Sequence, residues 1–138
     1  MPPEYGPPLG LAEAKRIVEA AVAEARRQGW AMVVAVLDSS GHVVVLERMD
    51  HAQYGSIELA LAKAKTATHF KRPTKLFEDT IAQGGIGLRL LSADAFCLFE
   101  GGLPLLCDGK LVGAIGVSGA RSEQDGIVAE AGAQALSA

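Results

Sequence analysis

Residues 31–37, Ala-Met-Val-Val-Ala-Val-Leu, form an uninterrupted apolar run rich in valine and too short for a stable helix, which predicts a strand. A strand with one face in water alternates polar and apolar residues. This one does not, so both of its faces must be covered. Asp38-Ser-Ser-Gly41 then supplies turn chemistry, and residues 42–48 return as a second strand, closing a hairpin. The chain must therefore carry helices for both sides of a sheet.

The flanking sequence supplies them. Over residues 9–28, Leu11, Ala14, Val18, Ala21, Val22 and Ala25 recur at helical spacing, and Gly29 is the stop. A second helix is predicted from Gly55 or Ser56 to about Phe70. Pro73 starts a third over residues 74–83, at a position where its missing N–H costs nothing. Residues 84–87, Gly-Gly-Ile-Gly, read as a flexible loop. Residues 95–100, 103–107 and 110–117 read as three more strands, joined by Gly101-Gly102 and by the hairpin signal Asp108-Gly109. A last helix covers 122–136. The expectation is an α+β fold: a three-layer sandwich whose five-stranded antiparallel sheet is covered by helices on both faces.

Composition narrows the function. At 138 residues the chain suits one domain, expected over 9–138 behind a flexible Pro-rich arm at 1–8. A formal charge of −3 and 5% aromatic content give little attraction for nucleic acid and few stacking platforms. No apolar run approaches the ~20 residues of a membrane span. The start, MPPEYGPPLG, lacks the basic and apolar regions of a secretory signal, and Cys97 and Cys107 fit neither a disulfide framework nor a metal motif. A cytoplasmic protein with free thiols is expected. His42, His51 and His69 lack metal-site spacing, so no metal centre is expected.

Several motifs in order resemble a known family. Val34-Ala-Val-Leu-Asp38 with Gly41, Arg48-Met-Asp50, Lys63-Ala-Lys-Thr-Ala67, Gly101-Gly-Leu-Pro104, and Gly113-Ala-Ile-Gly-Val-Ser-Gly119 followed by Gln124-Asp125 are similar to the GlcG/HbpS haem-degrading-domain family, related to the C-terminal domain of PduO-type proteins. His51 stands where many members carry glycine, and Asp125 is followed by Gly126 rather than an acidic residue. The resemblance implies a profilin-like sandwich, a homo-oligomer (dimer or higher) and, for some members, haem binding.

The residues themselves offer several sites. Glu58, Lys65 and His69 share one face of the second helix. Lys65 in an Ala/Leu-rich helix is a candidate base or carboxylate anchor, against a plain solvated face. Arg48 and Asp50 end a strand, where Arg48 is placed to clamp a carboxylate or simply to pair with Asp50. His51 and His69 are candidate haem ligands. Ser118, Gly119 and Arg121 lead into the last helix, whose N-terminal N–H groups suit an anion; Ser122-x-x-Asp125 also reads as a capping box. Glu100, before Gly101 and Gly102, is a candidate general acid or base, as is Asp125.

Two functions stay open at this level. One is a binding module for haem or another anionic cofactor. The other is a cofactor-free tautomerase, isomerase or hydrolase using Lys65, Glu100 or Asp125 on a carboxylated or aromatic metabolite.

Overall fold

The computed structural model describes residues 2–137. The valine-rich run becomes β1 (Val33–Asp38), which pairs antiparallel with β2 (Val43–Arg48) through the predicted hairpin. Asp38 organises the turn: its carboxylate accepts the N–H groups of Ser40 at 2.9 Å and His42 at 3.2 Å, and Gly41 takes φ +86°. The other neighbour of β1 is β4 (Lys110–Ser118), which in turn pairs with β3 (Gly102–Cys107). The sheet order is β2-β1-β4-β3, antiparallel throughout.

The missing polar alternation in β1 now has its physical reason. Successive side chains point to opposite faces, and each face has its own core. Val34 and Val36 pack with Ile17, Val18, Ala21 and Val22 of α1 (Leu11–Gln28) and with Val128 and Ala129 of α4 (Ser122–Ser137). Val33, Ala35 and Leu37 pack with Ala60, Ala64 and Ala67 of α2 (Gly55–Phe70). The alanine face of α2 lets its backbone lie almost on the sheet. A Cβ added at Gly116 would collide with the carbonyl of Ala60, and one added at Gly102 with that of Lys63.

The sheet has four strands, not the expected five. Residues 95–100, apolar up to Phe99, pair with no strand. The N–H of Cys97 goes instead to Thr66 Oγ1 on α2 at 2.9 Å. Phe96 stacks on Phe70, centroids 4.3 Å apart, and tilts against Phe77 of α3 (Thr74–Gln83) at 4.8 Å. The β3 edge that a fifth strand would need is also closed: Gly102 gives its N–H to Thr74 Oγ1 at 2.9 Å, and Pro104 has none to give. Aromatic packing and side-chain hydrogen bonds thus outcompete a ladder. Likewise the Gly-rich segment after α3 is not a loop but a 3₁₀ helix, Gly85–Ser92.

Before α1, the chain lies along the start of β4. Leu111 donates to Glu4 O at 2.8 Å, Gly6 to Leu111 O at 2.8 Å and Leu9 to Val112 O at 3.0 Å. The Tyr5 hydroxyl donates to Thr68 O at 2.7 Å, satisfying a carbonyl in the last turn of α2, and Lys71 Nζ sits 4.5 Å from the Tyr5 ring centroid.

Candidate functional site

The start of β3 and the end of β4 lie side by side, since Gly102 pairs with Gly116. Beneath them is Lys63 of α2. Residues 60, 63, 64 and 67 share the buried face of this helix, and Lys63 is the long side chain on it, 1% exposed. Its ammonium donates to Asp125 Oδ2 at 2.7 Å and to Val117 O at 2.8 Å. Asp125 Oδ1 accepts the N–H of Ala120 at 3.0 Å. Burial pushes the Asp125 carboxyl above its ordinary value, opposed by the Lys63 ammonium and by the backbone N–H groups of Ala120 and Gly119. Gly101, at φ +131°, lies directly over this pair: a Cβ there would stand 2.9 Å from Lys63 Nζ.

Above Gly101 opens a cavity of about 350 Å³, lined by Lys75, Glu100, Gly101, Gly102, Gly126 and Glu130 among others. The Glu100 carboxylate packs against the Cα of Gly126, and its N–H donates to Glu78 Oε1 at 3.2 Å. Partial burial raises its pKa, with Glu78, Asp79 and Glu123 adding to the rise and Lys75 opposing it.

A second, more apolar cleft of about 510 Å³ lies on the outer side of α2. Leu59, Ile81, Leu91, Phe96, Leu98 and Phe99 form its walls; Cys97 and Glu78 also line it. Burial pushes the Cys97 thiol up, with the Phe99 N–H and the Lys63 charge acting the other way.

The sequence candidates divide among these places. Glu100, Gly101, Gly102 and Asp125 gather around the first cavity and the ion pair below it. Ser118 is buried nearby, its hydroxyl 3.2 Å from that of Ser56, with Gly119 next in the chain. Arg121 is exposed and pairs with Glu123 at 3.1 Å. Arg48, Asp50 and His51 lie at the same end of the sheet but beyond β2, in a surface groove of their own. Three strand spacings, roughly 14 Å, separate the β2 edge from the β3 edge, so Arg48 does not join Glu100. Its guanidinium sits 5.6 Å from the Tyr54 ring centroid. His51 precedes α2 and His69 ends it beside Gly41, so a helix length of roughly 20 Å keeps the two histidines apart. Among the described residues no group of three or more His, Cys, Asp or Glu is placed to hold a metal ion.

Lys65, singled out from sequence, is exposed, whereas Lys63, two residues earlier, is the buried lysine. The signal for Lys63 was present: it falls three residues after Ala60 and four before Ala67, on the apolar stripe. At the start of α4, Ser122 is the first helical residue rather than the cap. Gln124 and Asp125 reach back instead, to the N–H groups of Arg121 and Ala120. Thr74, which fixes Gly102, carries no motif that would have marked it, and Thr66, which fixes Cys97, lies within the Lys63–Ala67 motif without a sequence signal for that role.

Known proteins are similar to this chain in sequence and fold. Protein GlcG of Escherichia coli is 36% identical over 105 residues, covering 76% of this chain and 77% of GlcG. The crystal structure of Klebsiella pneumoniae ORFY superposes with a TM-score of 0.88 at 31% identity, over 98% of this chain and 94% of that one. A PduOC–haem complex superposes with a TM-score of 0.83 at 32% identity, over 93% and 94% of the two chains. The family described as haem-degrading, HbpS-like matches residues 9–134. The four-stranded sheet, the glycine-floored end of β3 and the motifs around it thus sit in a chain that belongs to the HbpS-like haem-degrading family.

Proposed function

We propose that the chain works as a cytoplasmic homo-oligomer that binds a small anionic ligand of the tetrapyrrole class, haem foremost, in the apolar cleft on α2. The carrying observation is that cleft: about 510 Å³, walled by aliphatic side chains and two of the four phenylalanines. Its size and lining suit a flat apolar ligand. The similarity to a haem-complexed chain supports the same reading. Leu59, Ile81, Leu91, Phe96, Leu98 and Phe99 would hold the macrocycle, and Cys97 is the cleft residue of a haem-ligand type. Haem, when bound, supplies a redox-active iron. Outside the cleft lining, Ile86 and Leu76 are 79% and 51% exposed, apolar surface that a second subunit would cover. Among the described residues no helix is long and apolar enough to cross a membrane.

Titration with haemin tests this. The expected result is a saturable Soret shift that Phe99→Asp weakens by about tenfold or more, corresponding to roughly 1.4 kcal/mol. His51→Ala and His69→Ala, lying outside the cleft, should bind normally. Absence of a saturable shift in the unaltered protein sinks the reading, and loss of binding in His51→Ala or His69→Ala moves the site elsewhere. A monomer mass by light scattering at micromolar concentration overturns the oligomer.

A further inference from the structure

The cavity above Gly101 has a chemistry of its own, different from the apolar cleft. Among the described residues, the Glu100 carboxylate takes no hydrogen bond and no ion pair. It is set in place from both ends: its N–H is given to Glu78 Oε1 at 3.2 Å, and its carboxylate rests on the Cα of Gly126. Lys75 lines the same cavity, its ammonium oriented by Asp79 Oδ1 at 2.9 Å and Oδ2 at 3.2 Å. The floor is the side-chain-free pair Gly101-Gly102. A free acid–base group and a cation, facing one concave space of about 350 Å³, are the two parts that enolisation requires.

We propose that this cavity is a proton-transfer site for a small neutral or cationic carbonyl compound, with Glu100 as the acid–base group and Lys75 as the stabiliser of the enolate oxygen. The C–H bond next to the carbonyl breaks, and its proton passes to a Glu100 carboxylate oxygen. The bonding pair moves through the new C=C bond onto the carbonyl oxygen beside the Lys75 ammonium. Glu100 then returns a proton to the same carbon while the pair on oxygen restores the C=O bond. The balance is isotope exchange or epimerisation at that carbon, with no oxidant, reductant or metal.

The surroundings select the substrate's charge. Glu78 and Asp79 of α3, Glu123 and Glu130 of α4, and Glu100 itself surround the one lysine, so an anionic substrate is repelled and a neutral or ammonium-bearing one is favoured. Partial burial, with Glu78, Asp79 and Glu123, raises the Glu100 carboxyl above its ordinary value against the opposing Lys75 charge, which makes it a stronger base once ionised.

The test uses the full chain without added haem, in deuterated water. Proton NMR follows exchange of the protons next to the carbonyl in butanone, aminoacetone and pyruvate. The expected result is exchange of butanone and aminoacetone at least tenfold above the buffer blank, with pyruvate slower than both. Glu100→Gln, nearly isosteric, should lower the rate about 100-fold or more, and Glu100→Asp should keep a measurable part. Lys75→Met should lower it about tenfold, the scale of one oxyanion donor or less. The rate should rise with pH through a midpoint above the ordinary glutamate value. Exchange at the blank rate for all three probes, or undiminished exchange in Glu100→Gln, overturns the proposal; pyruvate exchanging fastest overturns the substrate class.

Discussion

Lys63 and Asp125 meet at 2.7 Å with side chains only 2% and 3% exposed, joining α2 to the start of α4 beneath Gly101. Such a pair gains little net stability over apolar packing, yet neither member can be removed alone without stranding the other charge. Lys63→Met and Asp125→Leu are each expected to destabilise the fold by roughly 3–5 kcal/mol, while the double variant recovers much of the loss. Urea denaturation of the four proteins reads this directly. Additive losses in the double variant would show that the two groups do not act as a pair.

Glu100 gives the protein a measurable pH signature. Its carboxyl is raised above the ordinary 4.5, so between that value and its folded-state pKa the native state binds more protons than the unfolded chain. The contribution of Glu100 is therefore fully present below about 4.5 and declines as pH rises through the raised pKa. The urea midpoint of Glu100→Gln should fall less steeply than that of the unaltered protein across this window. Parallel slopes would contradict the raised value.

The approach of α2 to the sheet depends on glycine. Gly116→Ala would place a methyl group against the Ala60 carbonyl, in a core with no free volume at that point. Overpacking of this kind costs about 1–3 kcal/mol, or a Tm lower by roughly 5–10 °C for a chain of this size. Gly55→Ala, at the first residue of α2 where an added Cβ meets nothing within 4 Å, is the control and should not lower Tm.

Tyr5 joins the first residues to α2 through its hydroxyl, which donates to Thr68 O at 2.7 Å and more weakly toward His69 O at 3.3 Å. Tyr5→Phe keeps the ring and removes the bond, for an expected loss of about 1 kcal/mol. Hydrogen exchange should quicken at the amides of Gly6 and Leu111, which close the adjacent backbone pairs at 2.8 Å each. Unaltered protection there would mean that the backbone pairs hold without Tyr5.

Most of the architecture is legible in the sequence because its signals are local. Valine density marks β1, Asp38 with Gly41 marks the hairpin, and the end of α1 is marked by Gly29, which takes φ +79°. The failure at residues 95–100 comes from long-range competition. Their apolar pattern suits a strand, but Thr66, Phe70 and Phe77, brought near only by folding, offer better partners. The site shows the same division. Glu100, Gly101, Gly102 and Asp125 were readable from turn and helix-start chemistry, whereas Lys63 required assigning α2 its buried stripe. Aromatics are few, yet Phe96 and Phe99 both line one cleft and Phe70 and Phe77 pack behind it. Counts do not carry position.

The closed edge of β3 also limits how copies of this chain can join. A recruited strand needs alternate donors along the edge, but Gly102 has already given its N–H to Thr74 and Pro104 lacks one. Continuation of the sheet from one molecule to the next therefore falls to the opposite edge. Around a two-fold axis that edge would meet itself, β2 against β2, and such a sheet would stop at eight strands, twice the four of one chain. The proline and the threonine make growth self-limiting: the sheet has one end open to pairing, so it can double but cannot polymerise.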